Sequence, residues 1–304
     1  MTPTIFIIIL NWNGKKNTLQ CLESIKHLQT WDLELKTIVV DNGSEEELRI
    51  ENSELRMIKL IRNKENLGFA GGNNVGIKYA LENGADYILI LNNDTLVDSS
   101  LVEELLEVAA QGEHIGIVAP KIYFVKGYEF HKDRYKEPER EKVFWYAGGI
   151  MDWANVIGKH RGVDEVDWGQ YDTVEETDFA SGCCMFIRRE VIEKIGMFDE
   201  KYFLYYEDSD LCEKTKRAGF KIMYAPKAFL WHKNAGSVGG SGSMLQDYYI
   251  TRNRMRFGMR YASFRAKIAL IRESINLLFK GRQWQRLGVL DFYRQRFGKG
   301  MHDF

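Results

Sequence analysis

The sequence predicts an α/β protein: a doubly wound, Rossmann-like, mostly parallel sheet flanked by helices, with a helical C-terminal extension. Three features predict it. Residues 4–10, TIFIIIL, form an unbroken apolar and largely β-branched run, as in a strand buried on both faces. Residues 1–119 alternate such runs with helix-period stretches over short links, the pattern of a parallel sheet. From Met244 to Phe279 the pattern is helical throughout.

After the first strand, NWNG leads into a helix over Asn17–Leu28, with Leu19, Leu22, Ile25 and Leu28 expected on its buried face. Leu35–Val40 is the second strand and Met57–Ile61 a short third. Gly71–Asn83 reads as a helix closed by Gly84. Tyr87–Leu91 is the fourth strand, Ser99–Ala110 a helix capped by Asp98 or Ser99, and Ile115–Ala119 a further strand. Ligands of such sheets bind beyond the C-terminal strand ends, so the loops after residues 10, 40 and 91 are the ones to search.

The segment 126–142, dense in both charge signs, reads as a solvated surface excursion. Strands return over Phe144–Met151 and Cys183–Ile187, and Arg188–Ile195 is a short helix ended by Gly196. Asp208–Ala218 is a helix stopped by Gly219; Phe220–Tyr224 and Ala228–Trp231 read as two short strands. The loop Lys233–Ser243 is rich in Gly and Ser and reads as mobile. Trp284–Arg296 is a last amphipathic helix, and the chain divides into a body of 1–243 and an extension of 244–304.

With 304 residues, 45% of them hydrophobic, the chain has enough for a sizeable core. Its N-terminal apolar run is only six residues, against roughly 20 for a membrane span, which argues against a channel or transporter. No secretory signal is apparent, and four irregularly spaced cysteines suit a reducing compartment, so the cytoplasm is the expected location. The net charge of −1 conceals an asymmetry: 248–304 carries about +10 and the body about −11.

Candidate chemistry sits at the strand ends. LNND ends in Asp94, which is equally a turn former and a ligand for a hard cation. Asn11 and Asn13 of NWNG, and Asp41 of DNGS, suit turns and also hydrogen bonds to a base or ribose. In NLGFAGGNNVG, glycines 68, 71 and 72 permit close backbone approach to a ligand. Neither the dinucleotide fingerprint nor the P-loop occurs, which argues against a dehydrogenase and a P-loop NTPase. Glu207, Asp208 and Asp210 open a helix after the aromatic FDEKYFLYY; they suit the helix's positive end, and also a general base in a cleft with apolar walls. His232 follows Trp231 at a strand end.

The order of these motifs is more specific than any one of them. NWNG, DNGS, NLGFAGGNN, LNND, FDEKYFLYYEDSDLCEKTKRAGF, WH and YYITRNR form a series that resembles the family 2 glycosyltransferases, in particular their rhamnosyltransferase-like group, over roughly residues 4–260. The resemblance implies a GT-A fold for 1–243 and inverting transfer of one sugar from a nucleotide-sugar donor, dTDP-rhamnose favoured. UDP-linked galactofuranose, glucose or N-acetylglucosamine is the alternative. The acceptor would be a saccharide or lipid-linked saccharide. By the same resemblance Asn11, Asn13, Asp41, Asn73, Asn93 and Asp94 line the donor site, and Arg252 reaches its diphosphate. Asp94 and His232 bind a divalent metal, Mg²⁺ or Mn²⁺. Asp208 is the base, with Glu207 as rival or acceptor-orienting group. The family's D-x-D reads Asn92-Asn93-Asp94 here, so one carboxylate only is supplied.

In the tail, over IALIRESINLLF and GRQWQRLGVLDFYRQRFGKG, aliphatic and aromatic residues alternate with Arg, as in a helix lying on a membrane surface, and deletion of 281–304 is expected to abolish contact with the inner face of the cell membrane. The simpler reading packs that helix on the body. The Q-x-x-R-W motif of processive synthases is missing, which favours single-sugar transfer. A pyrophosphorylase would begin with a different Gly-rich loop; a non-catalytic nucleotide-sugar-binding module would bind donor without turnover. Nucleic acid is not an expected partner.

Overall fold

The computed structural model describes residues 2–30, 32–50, 58–234 and 243–300. The first half follows the expected alternation: β1 (Thr4–Asn11), α1 (Lys15–Ile25), β2 (Glu34–Asp41), β3 (Ile58–Arg62), α2 (Gly68–Glu82), β4 (Tyr87–Asn92), β5 (Thr95–Val97), α3 (Leu101–Ala109) and β6 (Ile115–Phe124). The second half is β7 (Phe144–Tyr146), β8 (Gly149–Asp152), β9 (Ile157–His160), β10 (Glu175–Glu176), β11 (Cys184–Arg188), α4 (Arg189–Ile195), α5 (Glu207–Arg217) and β12 (Lys221–His232). The extension is α6 (Met244–Tyr261), α7 (Phe264–Lys280) and α8 (Gln283–Tyr293).

The main sheet runs β10-β12-β6-β11-β4-β1-β2-β3, with β5 on β12 and β7 on β6. Strands β3, β2, β1, β4, β6 and β12 point one way, and the short strands and β11 run against them. The strand expected at Cys183–Ile187 is β11, but its place was not legible: it enters from the second half of the chain, antiparallel, between β4 and β6. The apolar run of β1 is buried, as its central place between β2 and β4 demands.

Several expectations need correction. The buried stripe of α1 is Thr18, Cys21, Leu22 and Ile25, and Leu19 is exposed. The two short strands expected over 220–231 are one strand, β12, with a register break between Ala225 and Phe229. The single helix expected over 244–279 is two: the backbone turns extended at Ala262, and Ser263 accepts from the Ala266 N–H to cap α7. The charged segment 126–142 is mostly exposed, but Glu129 and Tyr135 are buried and Phe130 reaches the cleft described below. Met57 and residues 235–242, part of the Gly/Ser-rich loop, lie outside the described residues.

The extension does not stand apart. Phe257 of α6 and Leu270 of α7 belong to the main core, where Phe257 stacks on Trp153 at 5.7 Å between ring centres. Among the described residues no helix is long and apolar enough to cross a membrane.

Candidate active site

The register of the sheet assembles one wall of the site. Asn11 at the end of β1 lies beside Asp41 at the end of β2, and Leu10 lies beside Asn92 on β4. Asn11 ties the ends of β1 and β2 to the start of α1. Its Nδ2 donates to Asp41 Oδ1 (3.2 Å) and Ser44 Oγ (3.1 Å), and its Oδ1 accepts from Gly14 N and Thr18 Oγ1. Asn13, in a left-handed conformation, receives Glu45 N–H and donates its own N–H to Ser44 Oγ. Asn93 donates to Thr18 Oγ1 at 3.0 Å. These short amides hold the loops in place, the arrangement that buried polar groups need to remain satisfied.

The opposite wall is a strained loop. Phe203, Tyr205 and Tyr206 all have positive φ, which costs each such residue on the order of 1–3 kcal/mol. The Phe203 carbonyl accepts the N–H groups of Phe69 and Ala70 and so receives the start of α2. Gly68 makes this contact feasible: its φ is +74°, and a Cβ there would meet the Phe203 oxygen at 2.4 Å. The loop delivers Glu207 and Asp208 to the first turn of α5.

Between the walls lies a cleft of about 810 Å³ lined by Asn42, Asn66, Asn93, Asp94, Glu207, Asp208 and His232, with Trp12, Phe69, Phe130, Trp145, Tyr205 and Tyr249 as apolar surface. A second depression of about 650 Å³ lies on the outer face of α1, around Lys16 and Gln20, and contains none of the motif residues.

On the β-strand side, β5 pairs with β12 so that Asp94 and His232 meet. Asp94 Oδ1 lies 3.0 Å from His232 Nε2. His232 Nδ1 is buried without a hydrogen-bond partner, and Trp145 packs edge-on against the ring at 4.6 Å. Among the described residues no group of three or more His, Cys, Asp or Glu converges as a metal cage. A carboxylate oxygen and an imidazole nitrogen at this separation nonetheless match two adjacent positions of an octahedral ion, whose ligands at ~2.1 Å stand about 3 Å apart. Such a two-donor site leaves most positions for diphosphate oxygens and water, the usual habit of Mg²⁺.

On the loop side, Asp208 Oδ2 accepts the Gly182 N–H at 3.0 Å, and Oδ1 accepts both the N–H and hydroxyl of Ser209. The carboxylate opens onto the cleft but sits deep in it, and this desolvation raises its pKa despite the donors that favour the charged form. Glu207 is buried, its Oε2 has no partner, and desolvation plus the Asp208 charge push its pKa well above the usual carboxylate range. Asp210 is spent on structure: fully buried, it receives the hydroxyls of Tyr202 and Tyr261 and pairs with Lys214 and Arg260.

The comparisons with known proteins bear on this cleft. The family model for glycosyl transferase family 2 matches residues 6–196, from β1 through α4. The chain belongs to glycosyl transferase family 2. It is 27% identical to a low-salt glycan biosynthesis hexosyltransferase of Haloferax volcanii, over 84% of this chain and 75% of the relative. It is 25% identical to a dTDP-rhamnosyl transferase of Shigella flexneri, over 76% and 70%. An N-acetylglucosaminyl-diphospho-decaprenol L-rhamnosyltransferase of Mycobacterium tuberculosis is 25% identical, over 51% and 49%. Among solved structures, a mannosyltransferase of Pyrobaculum calidifontis in complex with GDP-Man and Mn²⁺ superposes with a TM-score of 0.52, at 14% identity over 97% of this chain and 87% of that one. GalNAc-T7 with UDP, GalNAc and Mn²⁺ gives 0.59, at 15% identity over 90% of this chain and 55% of that one. These likenesses are of fold, and the fold is GT-A.

Within this family 2 enzyme the residues expected from sequence fall into two sets. Asn93, Asp94, Glu207, Asp208 and His232 line the cleft; Asn11, Asp41 and Asn73 are buried outside its lining, and Asn13 is exposed and does not line it. Asp41 and Asn73 each keep one buried oxygen, Oδ2 and Oδ1, without a hydrogen-bond partner. Arg252 does not line the cleft. It is fully buried, donates to the carbonyls of Tyr202 and Lys201, and lies over the rings of Tyr248 and Tyr249.

Sequence reasoning passed over two residues and gave a third another place. Asn42, read as part of a turn, binds Asn66 Oδ1 and the Gly68 carbonyl and lines the cleft. His160 had no sequence context, because β9 has no apolar pattern; it faces the cleft beside Trp145, and burial pushes its pKa down to about 4, so it is neutral at pH 7. Asn253, which the resemblance groups with Arg252 near the donor diphosphate, instead donates to backbone carbonyls of the strained loop.

Proposed function

We propose that this family 2 enzyme is an inverting hexosyltransferase that moves one sugar, rhamnose favoured, from a nucleoside-diphosphate donor to a glycan or lipid-linked acceptor. The observation that carries this reading is the Asp208 carboxylate, desolvated in the cleft and fixed by Gly182, with the Asp94–His232 pair lining the same cleft. The relatives named for dTDP-rhamnosyl and decaprenol-linked rhamnosyl transfer support the donor and the acceptor class.

The acceptor oxygen forms a bond to the anomeric carbon, while the bond from that carbon to the diphosphate oxygen breaks and leaves its electron pair on the diphosphate. The acceptor's proton passes to Asp208. A raised pKa brings the base closer to the working pH and improves its capacity to take that proton. The single displacement inverts the anomeric centre. Asp41, buried outside the cleft lining, is assigned to the nucleobase N–H through Oδ2, which has no hydrogen-bond partner and lies 3.8 Å from Arg62 Nε, and the Asn42–Asn66 pair borders the nucleotide. Asp94 and His232 would hold a Mg²⁺ or Mn²⁺ ion, which supplies charge neutralisation for the departing diphosphate. Tyr205, Tyr249 and Phe130 give the sugar and acceptor an apolar surface.

A thermal-shift screen of nucleotide sugars with Mn²⁺ identifies the donor, since a selective ligand raises apparent stability by mass action. Anomeric NMR of the product then reads the stereochemistry. Asp208→Asn should keep the donor-induced shift and lose about 10²–10⁴ in turnover. A variant that keeps its turnover overturns the base role, retention of configuration overturns the displacement, and a preferred UDP-sugar overturns the rhamnosyl donor.

A further inference from the structure

Helix α7 carries an apolar stripe on its solvent side. Phe264, Ile268, Ile271, Ile275 and Phe279 recur at three- and four-residue spacing, within an arc of about 80° at 100° per residue. Phe264 is 78% exposed, Phe279 74% and Ile275 49%. The opposite face supplies Ala266, Leu270 and Ser274 to the interior. The helix therefore has two apolar faces, of which the described residues cover one. Two nearly bare phenylalanines at the ends of one stripe are more than the scattered apolar residues of an ordinary surface.

The charges beside the stripe have one sign. Arg265 and Arg272 flank it along one edge and Lys280 follows Phe279; all three are exposed, and none forms an ion pair among the described residues. The one carboxylate of α7, Glu273, is held by both guanidinium nitrogens of Arg254 at 2.7 and 2.9 Å. Within the tail where sequence pattern placed a membrane contact, the described part of 281–304 is otherwise engaged. Val289 and Asp291 of α8 are buried, Arg282 grips Asp247, and Arg286 donates to the carbonyls of Phe279 and Gly281.

We propose that α7 is the docking face of this enzyme for an anionic lipid surface: its phenylalanines and isoleucines enter the headgroup boundary while Arg265, Arg272 and Lys280 contact lipid phosphates. A helix of this kind lies in the interface plane, its apolar side sunk roughly 5–10 Å, and does not cross. Charge decides against a second copy as the occupant, because a two-fold pairing of α7 brings Arg272 against Arg272 and adds no carboxylate. The inference rests on α7 alone and does not depend on the sugar or on the base.

The test is flotation of the full chain with vesicles of equimolar phosphatidylglycerol and phosphatidylcholine, against phosphatidylcholine alone, at low and high salt. The wild type should bind the anionic vesicles, and binding should weaken with salt and on neutral vesicles. The double substitution Phe264→Ser, Phe279→Ser should reduce binding by about tenfold or more, and Arg265→Gln with Arg272→Gln should remove the preference for phosphatidylglycerol. Both variants should keep the wild-type melting temperature. Failure of the wild type to float overturns the proposal, as does a phenylalanine variant that floats equally well. A wild-type dimer in light scattering that the phenylalanine variant converts to monomer also overturns it, and assigns the face to a second copy.

Discussion

The side-chain nitrogen of Asn253 donates to the Tyr205 carbonyl at 2.9 Å, two residues before Glu207. The same nitrogen reaches the carbonyls of Tyr202 and Leu204, both at 2.8 Å. An amide carries two hydrogens, so one is shared. Asn253 is fully buried, and its Oδ1 accepts from Arg252 Nε, which aligns the pair. One α6 side chain thus secures a loop whose Phe203, Tyr205 and Tyr206 hold strained backbone angles, and that loop delivers the two carboxylates to the cleft.

Asn253→Ala should therefore act on the reaction through position. Loss of these hydrogen bonds should destabilise by about 2–4 kcal/mol, measured by denaturant melts. Turnover should fall at least about tenfold, as misplacement of a catalytic group does, with the donor KM little changed, and the acid limb of its pH profile should move because the surroundings of Asp208 change. A variant that only lowers stability, with turnover per folded molecule and pH profile intact, assigns Asn253 to folding alone.

The raised pKa of Asp208, the proposed base, has a direct kinetic consequence. A base works only when ionised, so the rate should fall as pH drops through its folded value. That value lies above the ordinary aspartate value of ~3.9 because the cleft desolvates the charge. The profile of kcat/KM against pH should show its acid limb above that figure. A limb at or below it would mean the three donors from Gly182 and Ser209 outweigh burial.

How much of this was legible in the sequence follows from what each signal measures. Residues 4–10 revealed β1, because a strand covered on both sides needs apolar residues at every position. LNND and the Glu207-Asp208 pair marked cleft residues, because carboxylates at element ends are informative wherever the fold places ligands. The hydrophobic pattern records burial and not direction, so it showed a strand at 183–187, one residue off β11, and could not show that β11 runs antiparallel between β4 and β6. Composition gave the tail its positive charge but not its pairing: Arg252 looks like a phosphate ligand until its partners prove to be backbone carbonyls.

Glu207 predicts a stability effect opposite in sign to an ordinary paired carboxylate. Its folded pKa lies above its unfolded one, so the folded state binds the proton more tightly. Its contribution to stability is therefore full at acid pH and is lost as pH rises through the folded value. Glu207→Gln removes the charge and should raise the melting temperature at neutral pH. The gain should shrink as pH falls toward the unfolded value and vanish well below ~4.3, where the glutamate is protonated in both states. A gain that is independent of pH, or a loss at neutral pH, would show that Glu207 is stabilised as an anion.

The Asp94–His232 pair predicts a metal dependence that can be read without turnover. Each residue supplies one donor atom, and the rest of a coordination shell would come from diphosphate and water, so the ion should bind weakly alone and better with nucleoside diphosphate present. His232→Ala removes the imidazole and leaves Asp94 at the cleft surface without that partner. Apparent Mn²⁺ affinity, titrated by electron paramagnetic resonance with nucleoside diphosphate present, should weaken by about 10-fold or more. His232→Gln keeps an oxygen or nitrogen at a similar reach and should lose less. Equal Mn²⁺ affinity in wild type and His232→Ala would remove the imidazole from the metal site and leave the 3.0 Å contact as a purely structural link between β12 and the end of β4.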